Sequence, residues 1–143
     1  MQKILSQDPS RIVLGLALSL ALVITGASIL AGQNVITAVT LSVVFLAIGF
    51  AFFRKAGVIR EIGAATALMG QAIALTAAFQ GHAWQLDTHM LFFALLACLI
   101  ILRSVPAILM ATAVTAVHHL SFSVFFPALV YPSADLIDNL SPT

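Results

Sequence analysis

Five apolar stretches follow one another along this chain, divided by short breaks of polar or turn-forming residues. They fall at 12–31, 35–53, 62–79, 86–102 and 105–130. A bilayer-crossing helix needs about 20 mostly apolar residues, so each stretch predicts one span. The breaks carry recognisable stop and start signals. Asp8-Pro9-Ser10 suits the start of a helix, with proline in the first turn. Gly32-Gln33-Asn34 predicts a tight turn, and Arg54, Lys55, Arg60 and Glu61 predict a basic loop before the third span. Arg103-Ser104 divides the last two spans, Pro106 fits the first turn of the fifth, and Pro127 and Pro132 are expected to break its far end. The first stretch is longer than a secretory leader's apolar core, so a span is expected there and not a cleaved signal.

Composition turns this pattern into a class. Of 143 residues, 62% are hydrophobic and 8% charged, and the mean hydropathy is +1.13. A soluble domain carries about 25% charged residues, so the expectation is an all-α, polytopic transmembrane bundle forming a single domain over 1–143. A net charge of +1 excludes nucleic acid as a partner of the usual basic kind. The lipid bilayer is the expected partner, with a homo-oligomer left open. The single Cys98 permits no internal disulfide and is expected to be a small packing residue. In the third span, Gly63/Ala67 and Gly70/Ala74 have the spacing that lets two helices approach closely, and Gln71 beside them is expected to pack there or to bond across that contact.

All six Lys and Arg residues precede the first span or lie in the second and fourth breaks. Cytoplasmic loops collect such residues. The pattern predicts a bacterial inner-membrane protein with a cytoplasmic amino terminus and, with an odd number of spans, a periplasmic carboxyl terminus.

The chemistry concentrates in two short segments. All four histidines lie in Gly81-His82-Ala83-Trp84-Gln85-Leu86-Asp87-Thr88-His89-Met90 and in the pair His118-His119. An ionisable group at membrane depth is costly unless paired or hydrated, which makes it a functional candidate. Trp84 suits an interfacial aromatic belt. Asp87 could cap a first turn or orient an imidazole from another helix. His82 and His89, seven residues apart, share a face only if a helix already runs through this segment. On the fifth span, Thr112, Thr115, His119 and Ser123 recur at helical spacing, while His118 shares its side with Ala111, Val114 and Phe125. This predicts His119 as the bundle-facing imidazole with His118 flanking it, His119 lying roughly 12 Å below the outer surface and His89 about a turn shallower.

Three uses fit these residues. His89 and His119 could hold the iron of a haem b axially. With Asp87 or Met90 they could bind copper, zinc or iron. Histidines could also respond to protons. Against all three stands a purely structural role, a hydrogen-bonded pair locking spans four and five. No nucleophile elbow, phosphate-cradling loop, CxxC pair or HExxH helix occurs, so no enzymatic activity is expected.

The run Gly81-His82-x-Trp84-Gln85-x-Asp87-x-His89-Met90-x-Phe92-Phe93 resembles the amino-terminal membrane sensor region of a group of bacterial methyl-accepting chemotaxis proteins. So do Arg103, Ala107-Ile108-Leu109, the stretch from Ala113 to Leu120 with His118-His119, and the segments Phe126-Pro127-Ala128 and Tyr131-Pro132. The resemblance implies a multi-span input domain joined to a cytoplasmic signalling coiled coil. No heptad-rich region follows residue 132 here, so an excised sensory domain or a short stand-alone relative is expected. The resulting expectation is a non-enzymatic sensory module whose His82, Trp84, Asp87, His89, His118 and His119 form an outward-opening site for a metal or haem. A small transporter or channel subunit is the rival, although spans one, two and four offer almost no polar residues in their inner halves. A structural membrane subunit is the other.

Overall fold

The computed structural model describes residues 8–125, apart from the side chains at positions 122 and 123. Every regular element in that range is helical. In chain order they are α1 (Pro9–Leu30), α2 (Val35–Phe53), α3 (Val58–Ala78), the short α4 (Gln85–His89), α5 (Leu91–Cys98), a 3-10 turn over Leu99–Leu102, and α6 (Val105–Phe125). Four units are long and apolar enough to cross a membrane: α1, α2, α3 and the run Gln85–Leu102. A shorter apolar stretch, Val105–Ser121, makes the fifth. The chain is an all-helical bundle of membrane-spanning type. The expected continuation of span five to residue 130, its proline breaks at Pro127 and Pro132, and the place of Ser123 on the polar stripe lie outside the described residues.

The helix boundaries follow from local chemistry. Asp8 caps α1, its Oδ1 accepting a hydrogen bond from the Ser10 amide at 3.0 Å, with Pro9 as first helical residue. Asn34 caps α2 by accepting from the Thr37 amide at 3.1 Å, and the reversal before it is made by Gly32 at φ +65°. The third span starts at Val58, a turn before the expected Ile62, behind Gly57 at φ +61°. Arg60 and Glu61, read as loop, belong to its first turn, where a glutamate opposes the positive end of the helix dipole. Span four is not one helix. Bonds of i to i+3 type, Met90 N to Asp87 O and Phe93 N to Met90 O, tighten the backbone between α4 and α5. The span ends in a 3-10 turn stopped by Arg103, at φ +50°.

The centre of the bundle is α3, buried along most of its length and packed against α1, α2 and α6. Small side chains make that centrality affordable in space. A methyl group at Gly49 would sit 2.6 Å from the Ala67 Cβ, and one at Gly63 or Gly70 would overlap Phe52 or Phe45. The α2–α3 hairpin is seated by glycine on both sides, as the spacing of Gly63, Ala67 and Gly70 predicted. Gln71 is completely buried there and donates from Nε2 to Ala67 O at 3.2 Å within α3 and to Ser42 O at 3.5 Å on α2. Cys98, expected to pack inside, is exposed on α5, because Phe92, Leu95 and Leu99 form that span's inward stripe.

One end of the bundle gathers the charge. The Arg60 guanidinium, at the start of α3, bonds the Asp8 carboxylate at 2.6 Å and the Lys55 carbonyl at 2.9 Å. It also lies over the Phe53 ring, 5.1 Å from its centre. Partial burial works against the Asp8 charge, but the hydrogen bonds from Arg60 and Ser10 outweigh it and hold the carboxyl below its ordinary value. These contacts tie the start of α1 to the turn between α2 and α3.

Candidate functional site

The opposite end collects the imidazoles. Chain reversal after α3 uses Gly81 at φ +77°, and the Gly81 amide donates to Gln85 Oε1 at 2.9 Å. Gln85 is buried, with 1% of its surface exposed, and so anchors the loop to the first turn of α4. A second link ties this loop region to the α1–α2 turn, where the Asn34 amide donates to Ala78 O at 3.4 Å. The two turns and the far half of α6 thus frame a common end.

Across that frame His89, the last residue of α4, meets His119 on α6. Their Nε2 atoms are 2.9 Å apart. The His119 Nδ1 lies 2.8 Å from the Thr115 carbonyl oxygen one turn earlier. A carbonyl only accepts, so His119 Nδ1 carries a hydrogen. When both rings are neutral, His119 Nε2 is bare and His89 Nε2–H donates to it. When one proton is added, whichever ring carries it, one Nε2–H can still face one bare Nε2 and the bond persists. When both are charged, two N–H groups face each other and the bond is lost. The contact is compatible with no added proton or with one, and incompatible with two.

Around the pair stand His118 and Phe92. The ring centres of His89, His118 and His119 are 4.9 to 6.0 Å apart. Phe92 lies 5.3 to 5.6 Å from all three and is stacked on His118 with an interplanar angle of 23°. Both Phe92 and His118 are 2% exposed. This differs from the expectation for α6, which made His119 the bundle-facing ring. The inward stripe is Ala107, Ala111, Val114 and His118, while His119 and Thr115 sit at its margin and Thr112 is exposed. The reason is steric: small residues mark where α6 approaches α3, and hydroxyls on this helix satisfy themselves by bonding back, Thr115 to Ala111 O and Thr112 to Ile108 O. The estimated depth offset between His89 and His119 does not keep them apart.

The remaining predicted site residues lie elsewhere. His82 sits in the turn, its Nδ1 accepting from the Trp84 amide at 3.1 Å and its ring edge-on to Phe79 and Trp84. No helix carries it onto the face of His89, because the chain turns at Gly81 and α4 begins only at Gln85. Trp84 and Asp87 are exposed and border a shallow depression with Thr88, Met90 and Leu91. The structure joins His89, His118 and His119 and leaves His82, Trp84 and Asp87 outside that group. Phe92 and Gln85 were missed as site residues; a buried glutamine directly after a glycine turn was the available signal for the second.

The metal and haem expectations meet a geometric test here. Axial ligation of one iron places the two nitrogens roughly 4 Å apart, twice a metal–nitrogen bond of about 2 Å, with a flat macrocycle between them. At 2.9 Å the two Nε2 atoms leave no room for it. Among the described residues, no group of three or more His, Cys, Asp or Glu side chains is arranged to hold a metal ion. What the arrangement can do is hold, share and release protons. Comparison of the chain with protein-family models, with curated proteins and with solved structures finds no match.

Proposed function

We propose that this chain is a non-enzymatic sensory module embedded in a membrane, and that the His89–His119 contact is its responsive element with the proton as input. The observation that carries this reading is the 2.9 Å Nε2–Nε2 contact whose outer nitrogen is fixed by the Thr115 carbonyl. Such a contact bridges two spans and survives the first protonation. A second protonation sets like charges at hydrogen-bond distance and drives the rings apart. The free energy of that repulsion is the differential interaction a two-state switch needs. Among the described residues the titratable neighbours are few: His118 on α6, Asp87 on α4 and His82 in the preceding loop, with α1, α2 and α3 bringing only neutral side chains to this end. With the amino terminus inside, as the Lys and Arg pattern predicts, this end faces the periplasm. The sequence resemblance to chemoreceptor input regions supplies the receptor context, in which a changed packing of spans four and five is relayed inward.

Trp84 is the sole tryptophan and stands five residues before His89. Its ring centre is 5.3 Å from that of His82, so the test uses a His82→Gln background to leave that ring out of the signal. In lipid nanodiscs, Trp84 emission should change cooperatively between about pH 8 and about pH 5, where histidines titrate. His89→Gln and His119→Gln should abolish the transition with helix content intact. An unchanged titration in both variants would refute the reading.

A further inference from the structure

Beside the histidine end, a depression of about 520 Å³ opens over α4 and the start of α5. Asp87 and Thr88 of α4, the indole of Trp84, and the apolar side chains of Leu75, Met90 and Leu91 border it. It shares no residue with the His89–His119 contact. The Trp84 ring is steadied by His82, which meets it edge-on at 5.3 Å and is itself met by Phe79 at 5.5 Å. Asp87 brings a carboxylate to this rim without a permanent cation to answer it. Arg11, Arg54, Lys55, Arg60 and Arg103 all lie at the opposite end of the bundle. Residues 1–7, with Lys3, extend at most about 25 Å from Asp8, less than the roughly 33 Å length of α1. Residues 126–143 contain no Lys or Arg. Within this sequence only a protonated histidine can supply positive charge to Asp87.

We infer that this depression binds a quaternary ammonium group, the cation lying against the Trp84 indole and beside the Asp87 carboxylate. A negative charge and an electron-rich ring on one rim select a cation. The walls select its kind. A metal cation would give up its water, and a primary ammonium has three N–H donors to satisfy. The Thr88 hydroxyl already donates to Gln85 O at 2.8 Å, and the remaining wall is apolar. A trimethylammonium group has no N–H, and its methyls match Leu75, Met90 and Leu91. The same group is carried by free choline and by the phosphatidylcholine headgroup.

The test is saturation-transfer NMR on the trimethylammonium protons of choline, with the full chain in dodecyl maltoside micelles, which carry no ammonium. Working at about pH 8 keeps the measurement above the range where histidines ordinarily titrate. Transfer should be saturable, and equal concentrations of sodium chloride or ethanolamine should not displace it. Trp84→Leu and Asp87→Asn should each weaken binding about threefold, and the double variant about tenfold, with helix content intact. Dihexanoylphosphatidylcholine below its micellar concentration separates the two sources. Displacing choline at a lower concentration than choline's own assigns the site to the lipid headgroup; displacing it only at a higher one assigns the site to a free solute. Non-saturable transfer, or transfer undiminished in the double variant, would overturn the proposal. Displacement by sodium or ethanolamine as effective as that by deuterated choline would overturn the quaternary assignment.

Discussion

The two ends of this bundle are fastened by different chemistry. At one, a permanent cation and a carboxylate, Arg60 and Asp8, close a charge-assisted bond at 2.6 Å beside Arg54 and Lys55. At the other, two imidazoles share one hydrogen, backed by a buried phenyl ring and a third imidazole. The charged fastening keeps its form across the physiological range, because neither partner changes state there. The histidine fastening joins two rings that can each take up a proton, and a proton on both would set two N–H groups face to face. The lesson is that one bundle can close one end with a permanent ion pair and the other with a hydrogen bond between two titratable rings.

The sharpest way to break the comparison is to undo the seat common to both ends. Gly70→Ala forces α2 off α3 at Phe45 and should cost about 1–3 kcal/mol, the range for overpacked cores, read as a lower Tm in detergent. Next is the charged end. Asp8→Ala removes a cap and a partly exposed ion pair and should cost about 1–2 kcal/mol at neutral pH. Because the Asp8 carboxyl is held low, its contribution is fully present above the ordinary carboxylate range and lost as pH falls through the depressed value. Thermal melts of wild type and variant should therefore converge only in strong acid. At the histidine end, His119→Gln should cost less, about 0.6 kcal/mol as for interhelical hydrogen bonds in a membrane, but should flatten the dependence of Tm on pH between about pH 8 and about pH 5. Smallest is Thr112→Val, whose hydroxyl only bonds back to Ile108 O; a change below about 0.5 kcal/mol is expected in the same melts. A large loss there would restore the polar stripe of α6 as its packing face.

Much of this architecture was legible in the residues. Apolar run length marked the helices, and Asp8, Asn34 and the glycine turns placed most of their ends, because those signals act within a few residues of where they lie. The start of α3 was misplaced since Arg60 and Glu61 look like loop residues until Asp8, far away in sequence, accounts for the arginine. The break in span four left no mark, as Met90 is a good helix former and tertiary contacts set the tight turn around it. At the site, polarity brought His89 and His119 together as expected sharers of a metal or haem, with their direct hydrogen bond only as the structural alternative. The burial of His118 was not legible, because polarity was weighed above size; Ala107 and Ala111 carried the better signal. Phe92 escaped notice because nothing local distinguishes a phenylalanine that supports imidazoles from one that faces lipid.

The interlock of Gly49, Gly63 and Gly70 with Ala67, Phe52 and Phe45 has a mechanical corollary. Two rods meshed at such short range have little room to shift against each other, so α2 and α3 form the closest-packed pair of the bundle. The fourth crossing, broken between α4 and α5, and α6, which meets α3 through Ala107 and Ala111, carry no such interlock.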